Sequence, residues 1–336
     1  RGHNTVVRKA ICRVTGKRVA VKSCSKRTGT GTALEAIRNE ARILLSLQQN
    51  SSDKSNDESS SSSSATSHPH ILKCLGFYED SRYAHLVTEY LKGGELYDFV
   101  IAQATKNQKK KRSSVSSLVS TTALTEKEAA TIVRQLLSAI SHCHHHGVMH
   151  RDVKLENVLL ATETGKKDSK LNVALADFGL AKVHRREQEP LLTEQVGSPF
   201  FLRLSYVFAL LLLAMTARYV APEVLSGEGY AWTCDIWSLG VVAYSLLWAR
   251  APFQGATNEE TFHLIQNAPL YLPLDGISDS AKEFIRLCLQ KSPDERKSAE
   301  SLLRHDWIVQ HSEVDVDATT SKVARFQRFR RALHLR

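Results

Sequence analysis

The stretch His150-Arg151-Asp152-Val153-Lys154-Leu155-Glu156-Asn157 decides how this chain is read. It gathers carboxylates, cations and a carboxamide into one short segment, directly after residues that read as a helix. Asp177-Phe178-Gly179 follows twenty residues beyond Asn157, and Ala221-Pro222-Glu223 comes later; far upstream stands Val19-Ala20-Val21-Lys22. Each string is weak alone, because a lone Asp or Glu is usually a solvated surface residue. Four of them in this order and spacing leave little to chance.

Working outward, residues 5–22 alternate as strands. Thr5-Val6-Val7 leads to Ala10-Ile11, Thr15-Gly16-Lys17 is a turn, and Val19–Lys22 returns, which is a hairpin pattern. Over 33–48, Ala33, Ile37, Ala41, Leu44 and Leu45 fall at helical spacing. Strand-like runs cover Ile71–Phe77 and Ala84–Tyr90. Thr125 and Glu128 form a capping box ahead of the apolar stripe Ile132, Leu136, Ala139, Ile140 and Cys143, and Gly147 stops that helix. Residues 235–248 are apolar nearly all round, the profile of a helix inside a domain. Further helices are predicted at 279–290 and 298–309. Strands come first and helices later, which predicts an α+β architecture: a small antiparallel β-rich lobe followed by a larger, mainly helical one. Two low-complexity stretches interrupt it. Ten of the seventeen residues 51–67 are Ser, and 102–123 carries Lys106, Lys109, Lys110, Lys111 and Arg112 before a Ser/Thr run. Disordered insertions are therefore expected over about 49–67 and 102–123.

The 336 residues, 42% hydrophobic and 24% charged, suffice for a core in two lobes and exclude wholesale disorder. Six scattered cysteines without a C-x-x-C pair argue against a zinc ribbon or a disulfide scaffold. They fit a reducing compartment, and a cytoplasmic location is the expectation. No run reaches the roughly 18–20 apolar residues of a membrane-spanning helix, so no transmembrane span is expected. His142, His144, His145, His146 and His150 lack Cys or carboxylate partners at zinc-binding spacing, so no metal centre is expected there. Because residue 1 is Arg, the chain is expected to be a piece of a longer product.

Together the four strings resemble the signature set of eukaryotic protein kinases, over a span from Arg1 to about His311. The resemblance implies a bilobal protein-kinase-like fold with ATP and Mg²⁺ as cofactors. Phosphoryl transfer is mostly positioning and charge neutralisation. Lys22 is then implied to hold the α- and β-phosphates, oriented by Glu40, with Glu35 as second choice. Asn157 and Asp177 are implied Mg²⁺ ligands, hard oxygen donors that suit the ion. Asp152 is implied to accept the substrate hydroxyl's proton, Lys154 to neutralise the γ-phosphate, and Arg151 to face the activation segment. For the nucleotide, Val7 and Ala20 would cover adenine from above and Leu159 from below. The backbone of Glu89 and Leu91 would read its edge, and Thr88 falls at the gatekeeper position. Gly2 matches the second glycine of the phosphate-covering loop, Thr5 stands at the third, and the first would precede Arg1. Asp235 is expected to anchor the catalytic loop, and Arg296 to pair with Glu223.

Leu86–Asp98 (LVTEYLKGGELYD), Gly197-Ser198-Pro199-Phe200 and His305–Ile308 are similar to the calcium/calmodulin-dependent group, above all to calcium-dependent protein kinases. In that group Glu95 and Glu156 face basic residues upstream of the target Ser or Thr, since carboxylates select arginine by charge-assisted bonds. Ribose binding is the alternative for Glu95. The implied partners are protein substrates with Arg or Lys near the target hydroxyl. In the activation segment with Ser198, Thr193 is the candidate phosphosite and Glu194 a candidate built-in partner for Arg151.

One departure stands out. The family runs from Phe200 straight into Tyr219-Val220-Ala221-Pro222-Glu223, but here residues 201–218 intervene, apolar from Tyr206 to Ala217. Twelve such residues are too few to span a bilayer. The segment reads as an in-frame retained intron or, alternatively, as a real insertion that splits the docking loop. With the truncated glycine loop, the second case makes a pseudokinase or scaffold the rival reading.

Residues 312–336 are expected to be a regulatory tail. Val323, Phe326, Phe329 and Leu333 fall at helical spacing among six Lys and Arg over 321–336. A basic amphipathic helix reads as a calmodulin-type target. After a kinase domain of this group it resembles an autoinhibitory junction, with calmodulin or a calcium-binding domain as partner. No EF-hand loop motif occurs in the chain. The five basic residues of 102–123 and the six of the tail slightly exceed the net charge of +10, so the remainder is near neutral. A nucleic-acid partner is not expected, for no recognition motif appears.

Overall fold

The hairpin read in residues 5–22 opens the fold. In the computed structural model of the chain, β1 (Thr5–Ile11) and β2 (Arg18–Ser25) pair antiparallel, with Thr5 opposite Cys24 and Ile11 opposite Arg18. The structure describes residues 5–27, 31–49, 67–113, 123–162, 171–184, 217–227, 229–273 and 276–311. β3 (Cys74–Glu79) and β4 (Tyr83–Glu89) complete a four-stranded sheet of order β1-β2-β4-β3. The helix α1 (Gly31–Gln49) buries Ile37, Ala41, Leu44 and Leu47. Ile37, Ala41 and Leu44 belong to the helical stripe seen in the sequence, whereas Leu45 of that stripe is exposed and Ile43 and Leu47 are buried in its stead.

The strand expected over Ile71–Phe77 starts only at Cys74. Residues before it spend their backbone groups elsewhere: Leu72 N–H donates to the Leu175 carbonyl at 2.9 Å, and Leu175 N–H to that of His70 at 2.9 Å. Segment 67–72 is thus a tie between the lobes rather than sheet.

The second lobe is helical. α2 (Leu96–Ser113) and α3 (Glu126–His145) lead into it. The Thr125 hydroxyl accepts the Glu128 N–H at 3.3 Å, while the Glu128 carboxylate accepts the Thr125 N–H at 2.9 Å, so the capping box forms as the sequence predicts. The helix Thr233–Trp248 is buried from Cys234 to Trp248 and forms the centre of the lobe. The helix predicted at 279–290 runs Asp279–Cys288. That predicted at 298–309 is two, Ala299–Leu302 and Asp306–His311. The break lets Trp307 bury completely and donate its indole N–H to Glu126 at 3.2 Å.

The disorder expected over 102–123 is corrected on both sides. α2 continues through Ser113 because Leu96 and Val100, both buried, fix its first turns and the following Ala, Gln and Lys residues propagate a helix well. Ala123 and Leu124 are buried, and their N–H groups donate to the carbonyls of Leu247 and Leu246 at 3.0 and 3.2 Å. Residues 114–122 lie outside the described residues, as do 50–66, 201–216 and the tail 312–336. Of the apolar insertion, only Ala217 and Arg218 are described; with Tyr219 they form a 3₁₀ turn.

Candidate active site

Two short antiparallel ladders bring the motif residues together. β5 (Val148–Met149) pairs with β8 (Lys182–Val183), and β6 (Val158–Leu160) with β7 (Val173–Leu175). Residues 150–157 and 176–181 therefore leave adjacent ladders side by side, beneath the sheet lobe.

Lys22 reaches down from β2. Its Nζ lies 2.7 Å from Glu40 Oε2 and 3.0 Å from Asp177 Oδ1. Glu40, the first choice from the sequence, is thus the partner. Burial disfavours the charge on Lys22, but the two carboxylates outweigh it and raise its pKa. Burial also pushes Glu40 up against the pull of Lys22. The partial enclosure of Asp177 opposes its charge too, yet Lys22 holds it below the usual carboxylate range.

Asp152 is fixed from two sides. Lys154 Nζ donates to Oδ1 at 2.9 Å and Oδ2 at 2.7 Å, and Asn157 Nδ2 donates to Oδ2 at 2.7 Å. Burial raises the Asp152 pKa despite Lys154. Asn157 has spent its amide nitrogen on Asp152, so the atom left for a cation is its carbonyl oxygen. Asp177 has given Oδ1 to Lys22 and keeps Oδ2, on a side chain 47% exposed. Two hard oxygens at the mouth of the site fit Mg²⁺.

The loop carrying Asp152 hangs from Asp235 at the start of the central helix. Asp235 Oδ2 accepts the His150 N–H at 2.9 Å, and Oδ1 accepts the Arg151 N–H at 2.8 Å. That grip holds Arg151 at φ 65°, a left-handed conformation costing a residue with a side chain about 1–2 kcal/mol. Asp177 sits at φ 60°. Both strained positions flank the Lys22–Asp152–Asp177 cluster, and such strain concentrates at functional sites. The Arg151 guanidinium packs on the Tyr230 ring, and its buried Nε has no hydrogen-bond partner among the described residues. Its expected partners Thr193 and Glu194, with Ser198, lie outside the described residues.

The nucleotide-facing expectations map onto one face of the sheet. Val7 lies opposite Lys22, and Ala20 opposite Thr88. Side chains directly opposite share a face, as do Ala20 and Lys22 at alternate positions. Thr88 is buried, while Val7 remains 64% exposed, as a cleft roof would be. Glu89 and Leu91 follow at the strand end. Glu89 also accepts the Lys73 N–H on its carboxylate at 2.9 Å. Leu159 lies on β6 below and bridges to Glu95. Gly2 lies outside the described residues.

Glu95 and Glu156 come within electrostatic reach of each other. Burial raises the Glu156 pKa, with Asp152 and Glu95 adding to it. Its Oε2 is buried with no hydrogen-bond partner among the described residues. That oxygen's hydrogen-bonding capacity is unmet among the described residues, which is costly for a buried polar atom.

Sequence reasoning missed three positioning residues. Asn39 on α1 donates to the carbonyls of Gly179 at 3.4 Å and Ala181 at 2.8 Å, tying the Glu40 helix to the segment after Asp177. Gln135 bridges the backbone of Leu171 and Val173 at 2.8 Å each. His144 lies 2.8 Å from Asp235 Oδ2. Nothing in the local pattern marks the first two. His144 was visible only as one member of a histidine run.

The family profile described as protein kinase domain matches residues 1–308. A Dictyostelium discoideum protein described as a probable myosin light chain kinase is 32% identical over 92% of this chain and 78% of its own length. A calcium/calmodulin-dependent protein kinase of Emericella nidulans is 30% identical over 91% of this chain and 63% of its own. The Oryctolagus cuniculus protein described as serine/threonine-protein kinase 17A is 31% identical over 93% of this chain and 65% of its own. The chain thus spans less than two thirds of the length of the last two.

Proposed function

This chain belongs to the protein kinase family and is a serine/threonine protein kinase; from that premise we propose that it transfers the γ-phosphate of ATP to Ser or Thr hydroxyls preceded by Arg or Lys, under control of its basic tail. The observation carrying this reading is the closed contact of Lys22 with both Glu40 and Asp177, at 2.7 and 3.0 Å. A cation so placed, beside carboxamide and carboxylate oxygens, suits a polyphosphate with its metal.

Bound Mg²⁺ supplies charge neutralisation on the phosphates, held by Asn157 and Asp177. Lys22 grips the α- and β-phosphates, and Glu40 keeps it aimed. The substrate oxygen forms a bond to the γ-phosphorus while the bond from that phosphorus to the β–γ bridging oxygen breaks, and ADP leaves. Asp152 takes the hydroxyl proton. Its raised pKa brings it closer to neutrality, which suits a proton acceptor. Lys154 spans Asp152 and the transferred group. Glu156, with its unpaired oxygen, and Glu95 accept a substrate guanidinium.

The test is transfer of labelled γ-phosphate to an arginine-containing Ser peptide, with Asp177→Ala as blank. Transfer lost in the variant supports the reading. ATP binding without transfer in the native chain would favour a pseudokinase or scaffold instead. Tail control is supported by the apolar spacing and basic charge of 321–336 and by the similarity to the Emericella protein described as a calcium/calmodulin-dependent kinase. Calcium–calmodulin failing to bind a 311–336 peptide would remove calmodulin as its partner.

A further inference from the structure

Four imidazoles meet where segment 67–72 crosses α3. His68 stacks on His142, ring centroids 4.9 Å apart and planes inclined by 30°. His142 meets His146 at 4.2 Å, and His68 meets His70 edge-on at 5.8 Å. His68 Nδ1 accepts the His70 backbone N–H at 3.2 Å, and its Nε2 lies 3.0 Å from Ser138 Oγ. His70 Nδ1 lies 3.0 Å from the Val173 carbonyl, His142 Nε2 3.4 Å from that of Leu47, and His146 Nδ1 2.8 Å from that of His142. A carbonyl only accepts, so those three nitrogens carry protons, whereas His68 Nδ1 must keep its lone pair.

The surroundings favour uncharged rings. The titratable groups acting on His68 are His142 and His70; those acting on His142 are His146 and His145. From α1 the neighbours are the Leu47 carbonyl and Gln48, and from β7 the Val173 carbonyl. No carboxylate among the described residues is in that set. Nor do three His, Cys, Asp or Glu among the described residues gather in a way that could hold a metal ion. The place matters: segment 67–72 follows the helix that carries Glu40, and it bonds to Leu175, two residues before Asp177.

We propose that this all-histidine junction is an acid-sensitive clasp, holding the sheet lobe to α3 and β7 while its rings are neutral and loosening when one takes a proton. A proton on His68 Nδ1 removes the acceptor of the His70 N–H and sets a charge against the stacked His142 ring. Burial, helped by His142 and His70, holds His68 down to about 3, and burial with His146 also lowers His142. Folded-state values below the ordinary imidazole value of about 6.5 fix the sign. The stabilisation is complete above that pH and is lost as pH falls, because the unfolded chain takes the protons first. By pH 5, His68 alone reduces the folding equilibrium constant about 30-fold.

The clasp is independent of the proposed substrate chemistry, and its test needs no phosphoryl transfer. Urea unfolding of the full chain at pH 7.5 and pH 5.0 is compared with that of His68→Gln/His142→Gln. The native chain should lose at least about 30-fold more in folding constant on acidification than the variant. An equal loss in both overturns the proposal. Should the variant not fold, the histidine C2-proton resonances of the native chain decide. His68 titrating far below pH 6 upholds the clasp, and titration near the ordinary value refutes it.

Discussion

Asp152 and Lys22 do different work although both are half-buried charges in the same cleft. Lys22 is held by two carboxylates of the chain itself, Glu40 and Asp177, so it reads as a clamp. Asp152 is aimed by two donors and pushed toward neutrality by burial, so it reads as the group that trades a proton. Asp152→Asn should therefore lower kcat by about 10²–10⁴-fold while leaving ATP affinity near native. Steady-state kinetics alongside nucleotide titration checks this, and an equal loss of binding would contradict it. Glu156→Gln acts on recognition instead. It should raise KM for an arginine-containing peptide while leaving a peptide without basic residues unchanged, as measured by kcat/KM for the matched pair. The grouping of these residues is legible in the sequence, because the motif strings are contiguous and chemically dense. Asn39 and Gln135 are not, because each acts through main-chain carbonyls distant in sequence, and no local pattern records such a partner.

Among the elements, α3 shows how much a sequence can state about its own boundaries. Thr125, Glu128 and Gly147 each act through neighbours three or four residues away, so the signal is local and the helix begins and ends where it was read. Thr125→Ala should cost about 1 kcal/mol in urea unfolding, the usual worth of a polar N-cap. A change near zero would mean that the Ser278 and Trp307 contacts to Glu126 hold that end unaided. α2 misled for the converse reason. Lysine-rich sequence looks solvated, and Lys106 and Lys109 are exposed, but solvated lysine is a good helix former once Leu96 and Val100 have fixed the first turns. The split near Leu303 was also beyond local reading, since it follows from the burial of Trp307 against an element 181 residues away.

At the scale of the whole molecule, a buried ion pair ties together distant stretches of the helical lobe. Arg296 meets Glu223 through two bonds of 2.6 and 2.7 Å, at 0% and 4% side-chain exposure. It also donates to the carbonyls of Gln290, Thr233 and Lys291. Arg296→Met should destabilise the fold by about 3–5 kcal/mol, because it leaves a buried carboxylate unpaired. The double variant with Glu223→Leu should recover a large part of that loss, and urea midpoints of the three chains measure it. The same pair bears on the long stretch between His184 and Ala217. Its entrance is pinned by the His184 N–H on the Gly147 carbonyl at 2.7 Å, and its exit by Ser238 on the Tyr219 carbonyl at 2.8 Å and by Glu223 beyond. Residues 201–218 thus enter the chain between two posts whose contacts are made by residues outside the insertion, and an altered transcript that adds or drops them leaves the residues of both posts in the sequence.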